Sequence, residues 1–127
     1  MILGLGSDIV DVERIAAVVK RHPERFARRI LTEHEWHAYQ ERDYCVNFLA
    51  KRFAAKEAVS KCFGTGLRGA LKWQTIQVLN SGLGQPHVEL LDDAHALLAP
   101  NAMISITLSD ERRYAIAFAV YHLGAPC

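Results

Sequence analysis

The chain has too few cysteines, in the wrong pattern, for a disulfide framework. Cys45, Cys62 and Cys127 are odd in number and share no paired spacing, which excludes a stapled secreted fold and points to a reducing compartment. No run reaches the ~18–20 apolar residues that cross a bilayer. Met1 to Val10 is apolar but has no basic start and contains Asp8, so it is not read as a signal peptide. A cytoplasmic protein with no membrane partner is expected. Charge of one sign is also lacking: the net charge is +1, which argues against a general nucleic-acid coat. Of six histidines only His34 and His37 stand close together, with no cysteine pair nearby, so they read as surface residues of a helix and not as a zinc site. What remains is a 127-residue chain, half of it apolar, which fits one soluble domain over residues 1–127 with a substantial core.

The chain is organised around Asn47 to Gly66. Ala, Leu, Lys, Glu and Arg dominate, no Gly or Pro interrupts before Gly64, and Gly64 and Gly66 supply the permissive backbone that ends a helix. The apolar residues of this helix cover most of its circumference, the pattern of a buried element. Yet it carries Lys51, Arg52, Lys56, Glu57 and Lys61, and a charge on a buried helix is costly unless it is paired or binds something. Glu57 and Lys61 are four apart and share a face. By themselves they fit a solvated surface pair worth ~0.3–0.5 kcal/mol.

The remaining segments follow in order. Met1 to Val12 reads as a strand in which Gly4 and Gly6 mark a bulge or close backbone packing. Its glycines do not continue to the third one of a dinucleotide fingerprint. Asp8, an acid within an apolar strand, is either a solvent-facing alternate position or a functional carboxylate. Helices are predicted from Asp11 or Glu13 to Lys20, from Pro23 to Ile30, and from the capping box Thr32–Glu35 to about Arg42. Arg14, Lys20, Arg21, Arg25, Arg28 and Arg29 fall here, opposed between 14 and 29 only by Glu24. Such a stripe is a solvated face or a dock for an anion, and guanidinium groups suit carboxylate and phosphate. Trp73 to Leu79 and His87 to Leu91 read as one hairpin, Asp92 to Leu98 as a short helix, and Met103 to Leu108 with Tyr114 to Leu123 as a second hairpin. The order predicts an α+β domain, a small mainly antiparallel sheet packed on the long central helix.

Several of these stretches together resemble the holo-acyl-carrier-protein synthases, the small single-domain 4′-phosphopantetheinyl transferases. They are Gly4 to Asp11; Phe26 to Thr32 with Glu33 and Glu35; Phe48 to Gly66; Gly84 to Pro86; and Ser105 to Asp110 with Tyr114. The likeness runs in order over essentially the whole chain. It implies the 4′-phosphopantetheinyl transferase fold and transfer of the phosphopantetheine arm of coenzyme A to a serine of apo acyl carrier protein. Adenosine 3′,5′-bisphosphate is released, in support of fatty acid biosynthesis. It implies Asp8 and Glu57 as magnesium ligands and Glu57 with Lys61 as the catalytic pair. Arg52, Lys61, Gly64, Gly66 and Pro86 would lie near coenzyme A, and Arg14, Arg21 and Arg25 would take the carrier protein. Proteins of this type are homotrimers with sites between subunits. The chemistry agrees with the residues: magnesium takes one or two carboxylates and completes its shell with water and phosphate oxygens. The proton acceptor stays open between Glu57 and a metal-bound water.

Two positions depart from the family pattern. Ser105 stands where many relatives have histidine, and Asp110 where others have a second one. Two readings compete with the transferase: a binding module whose arginine stripe grips an acidic protein or RNA without chemistry, and a magnesium phosphohydrolase using the same two acids.

Overall fold

The computed structural model describes residues 1–124; Cys127 lies outside the described residues. Strand β1 (Ile2–Asp11) leads into helices α1 (Val12–Arg21), α2 (Arg25–Ile30), α3 (Glu33–Glu41) and α4 (Val46–Cys62). A hairpin of β2 (Ile76–Asn80) and β3 (Pro86–Leu90) follows, then a hairpin of β4 (Ala102–Asp110) and β5 (Tyr114–Leu123). The fold is the α+β arrangement expected, with every strand pair antiparallel. The strands form two sheets where one was expected: a three-stranded sheet in the order β1-β5-β4, and β2-β3 separately.

Helix boundaries follow local chemistry. Asp11 caps α1 by accepting the Glu13 amide at 2.9 Å. Thr32 and Glu35 form the expected capping box at the start of α3. Helix α4 ends just before Gly64 and Gly66, both at positive φ, as predicted from the sequence. The strand predicted from Trp73 is corrected: Trp73–Thr75 is a 3₁₀ turn and β2 begins at Ile76. The Thr75 hydroxyl donates to the Ala70 carbonyl (2.7 Å) and accepts the Lys72 amide (2.9 Å), which bends the chain before it can extend. Asp92–Leu97 is likewise a 3₁₀ element.

Helix α4 lies across the inner face of the three-stranded sheet. Ala50, Ala54, Ala55 and Ala58 are fully buried on the helix, and Ala115, Ala117 and Ala119 on β5. Small residues on both elements bring the backbones close. A Cβ at Gly4 would run into the Cys62 carbonyl oxygen, and one at Gly6 into that of Ala58. This confirms the close packing expected of those glycines, and the β1–β5 register also shifts between Ile2 and Gly4. Among the described residues nothing covers the opposite sheet face. Leu5, Ile9, Met103, Ile116 and Phe118 are exposed there, on alternate positions to the residues that face α4.

Candidate active site

Strand alternation places Asp8 on the same side as Gly6 and Val10, toward α4 and not toward solvent. Helix α4 presents Glu57 and Lys61 opposite it. The Lys61 ammonium donates to the Ser7 carbonyl at 2.9 Å and to Asp8 Oδ1 at 3.3 Å. Its side chain stays 52% exposed while that of Asp8 is 17% exposed, so the ammonium reaches over the acid from the solvent side. Asp8, Glu57, Arg14, Phe26 and Phe53 line one cavity of about 260 Å³. The pair read from the sequence as Glu57 with Lys61 is therefore part of a larger cluster: two acids and an arginine line one opening, and Lys61 bonds one of the acids.

Burial raises the Glu57 carboxyl pKa above its ordinary value of 4.5, Asp8 raises it further by like charge, and Lys61 opposes both. Two hard carboxylates that repel one another in a half-buried cleft suit a divalent cation. Among the described residues no group of three His, Cys, Asp or Glu side chains converges on a metal position. The donor set thus fits magnesium, which needs one or two carboxylates and draws the rest of its shell from water and phosphate. The raised value has a sign that can be tested. A carboxyl held above its unfolded pKa favours the fold while protonated, and that contribution is lost as pH rises from about 4.5 through the raised value. Metal-free wild type is expected to lose more melting temperature between pH 5 and pH 8 than Glu57→Gln, with magnesium reversing the loss in the wild type only. Calorimetry with and without chelator reads this, and a wild-type melt indifferent to magnesium at pH 8 would count against the acid pair as its site.

Other predicted residues lie elsewhere. Arg52 is buried, with its guanidinium 4.4 Å from the Phe48 ring centre and 3.4 Å from Asn80 Oδ1. Burial pulls its pKa down to about 10, Arg42 adds to that and Glu35 opposes it. Its Nε has no hydrogen-bond partner among the described residues. Arg52 lines a second cavity, about 340 Å³, with Arg42, Asn80, His34 and His87. Pro86 lines a third, about 270 Å³, with Gln85, His87, Ser105 and Ile106. Gly64 and Gly66 sit in the turn that follows Lys61, with open space around them. Arg21 and Arg25 are exposed on α1 and α2, and neither they nor Arg14 form an ion pair among the described residues, whereas Arg28 is held by Glu24 at 2.8 Å. The structure therefore gathers Asp8, Glu57, Lys61 and Arg14, and separates them from Arg52 and Pro86.

Ser105 has a partner that the sequence did not suggest. Its hydroxyl lies 2.7 Å from His122 Nε2, and His122 Nδ1 lies 2.8 Å from the Leu123 carbonyl. A carbonyl only accepts, so Nδ1 carries the proton, and in the neutral ring Nε2 accepts from Ser105. Asp110 anchors the start of α4, accepting from Asn47 at 3.2 Å and pairing with Lys51 at 3.6 Å. Phe26 and Phe53 form the aromatic wall of the acid cavity, a role the sequence did not suggest.

Comparison with known proteins follows the same lines. Residues 4–119 match the family described as the 4′-phosphopantetheinyl transferase superfamily. The chain is 50% identical over 121 residues to the holo-[acyl-carrier-protein] synthase of Erwinia tasmaniensis, covering 94% of this chain and 96% of that one. It is similar to the crystal structure of that synthase from Neisseria meningitidis, with TM-score 0.87, 38% identity, and 96% and 99% of the two chains covered. It is similar also to the Bacillus anthracis enzyme in complex with CoA (3′,5′-ADP), with TM-score 0.82, 30% identity, and 98% and 99% covered. No helix of the described residues is long and apolar enough to cross a membrane.

Proposed function

Because the chain belongs to the holo-[acyl-carrier-protein] synthase family within the 4′-phosphopantetheinyl transferase superfamily, we propose that Asp8, Glu57 and Lys61 form its reaction centre. The reaction is transfer of 4′-phosphopantetheine from coenzyme A to a serine of apo acyl carrier protein, giving the holo carrier used in fatty acid biosynthesis and adenosine 3′,5′-bisphosphate. The observation that carries the proposal is the convergence of two acids, from β1 and α4, on one cavity, with the Lys61 ammonium 3.3 Å from one of them.

In this reading Asp8 and Glu57 would hold magnesium. Bound there, the ion would neutralise and orient the diphosphate of coenzyme A. Lys61, already reaching over Asp8, places its ammonium beside the phosphorus under attack. The serine oxygen forms the new bond to that phosphorus, the bond to the bisphosphate breaks, and the serine proton is released. Phosphoryl transfer rests chiefly on positioning and electrostatics, so cationic groups on the diphosphate do most of the protein's work. Phe26 and Phe53 keep one wall of the cavity dry. Arg14 stands at the cavity and Arg21 and Arg25 continue away from it, a guanidinium stripe for the acidic carrier. Arg52, beside Arg42, offers the N–H of its buried, unpartnered Nε to a phosphate of coenzyme A. The Gly64–Gly66 and Pro86 turns lie alongside the nucleotide.

The separation of Arg52 and Pro86 from Glu57 supports a homotrimer in which the acid cavity of one subunit meets the Arg52–Pro86 side of the next. The uncovered apolar sheet face supports the same assembly, because a contiguous exposed patch of this kind marks an interface. Phe118→Glu, on that face and clear of the acids, is expected to give a folded monomer that has lost transfer with Asp8, Glu57 and Lys61 unchanged. Sedimentation velocity beside the activity assay tests this, and a wild type fully active as a monomer would overturn it.

The direct test of the reaction centre is intact-mass analysis of apo carrier protein after incubation with coenzyme A and magnesium. Asp8→Asn is expected to abolish the phosphopantetheine mass gain, and wild-type turnover in that variant would sink the assignment.

A further inference from the structure

Lys56 stands one residue before Glu57 but faces the interior, and its side chain is 0% exposed. A buried ammonium is tolerated only when its protons are all used. Here they are: Lys56 Nζ donates to Glu35 Oε1 at 2.6 Å, to the Ile30 carbonyl at 2.7 Å and to the Trp73 carbonyl at 2.8 Å. Glu35, also fully buried, is used as completely. Its Oε1 accepts the Thr32 amide at 2.8 Å and its Oε2 the Val78 amide at 2.7 Å. One ion pair thus ties together the end of α2, the start of α3, the entry to the 3₁₀ turn, and β2.

Each tie leads to a part of the proposed site. Ile30 closes α2, which carries Arg25 and Phe26. Trp73 stacks on Phe53 with ring centres 5.0 Å apart, and Phe53 lines the acid cavity. Val78 lies on β2, whose last residue Asn80 takes the hydrogen bond from Arg52 and which pairs with the Pro86 strand. A salt bridge needed for stability alone could sit anywhere in the core. This one sits where the carrier side and the nucleotide side both attach to α4.

We propose that Lys56 and Glu35 are positioning residues for transfer, fixing the carrier-facing helix α2 and the nucleotide-facing hairpin β2–β3 in register on α4. The inference rests on the functional reading above, and its readout is independent of which acid holds the metal.

Glu35→Asp separates the two sides. The carboxylate keeps its charge beside Lys56 but is one methylene short, so it cannot reach Thr32, Lys56 and Val78 together. The tie to β2 is the one expected to break. With full-length protein assayed well below its melting temperature, the KM for coenzyme A is expected to rise at least fivefold. The KM for the carrier protein and kcat should stay within twofold. Hydrogen exchange at the Val78 amide should accelerate while α4 amides remain protected. Glu35→Gln, which sets an amide donor against the Val78 N–H, is expected to show the same split, so the test does not depend on one variant. A folded Glu35→Asp with wild-type KM for both substrates, or with only a proportional fall in kcat from partial unfolding, would overturn the proposal and leave the pair as a stabilising contact. Retention of transfer by Asp8→Asn would instead overturn the site reading.

Discussion

Glu57→Gln is expected to lower phosphopantetheine transfer by roughly 10³-fold or more, the scale seen when a group that stabilises developing charge is removed. The amide has nearly the shape of the carboxyl but carries no charge, so it holds a divalent cation far more weakly and cannot take up a proton. The same substitution should not weaken the fold. Burial and the neighbouring Asp8 both disfavour the ionised carboxyl, so a neutral side chain relieves a penalty that the wild type carries. The expected pair of results is an inactive enzyme with an equal or higher melting temperature in chelator. Intact-mass turnover and calorimetry on one preparation read both. Near-normal turnover would remove Glu57 from the metal role.

Gly6→Ala should produce the largest loss of stability from the addition of one methyl group. The new Cβ would meet the Ala58 carbonyl oxygen, a backbone atom in the middle of α4 that cannot rotate away. Either the helix lifts or the strand bends, and both open a seam packed with alanines. Overpacking of this kind commonly costs about 1–3 kcal/mol and more where the backbone cannot yield; about 3 kcal/mol or more is expected here. At the usual urea sensitivity of a small domain this lowers the midpoint by about 1–3 M. An urea midpoint moved by less than a quarter of that would mean that the helix is not seated on the glycines. Asp8, two residues along the strand, would be displaced too, so transfer should fall with stability.

Much of this arrangement is legible in the sequence because its signals are local. The Thr32–Glu35 capping box, the Gly64–Gly66 stop and the alternation of β4 and β5 each depend on residues a few positions apart. The conflict of charges on an apolar helix also singled out Glu57 and Lys61, which the structure brings beside Asp8. The same conflict did not show that Lys56 is inside. Burial of that ammonium depends on a carboxylate 21 residues away and on two backbone carbonyls, partners that no periodicity reveals. Glu35 reads as a capping residue and is one, but its second oxygen serves a strand more than forty residues later. Trp73–Thr75 alternates like a strand and is bent by one threonine hydroxyl. The partition of Arg52 and Pro86 from Glu57 is a property of three-dimensional faces, and spacing along the chain carries no trace of it.

Strand β1 pairs with β5, and Asp8 sits opposite Ala117. The first strand therefore finds its hydrogen-bonded neighbour only in the last one. Helices α1 to α4 can begin to form from nearby residues, but the carboxylate that faces Glu57 waits on a contact closed across nearly the full length of the chain. Contacts of such separation must pay their loop-closure entropy before they are rewarded, and they slow folding. Assembly of the reaction centre is therefore expected among the final events of folding, so that a partly folded subunit contains its long helix but has no competence to act on coenzyme A.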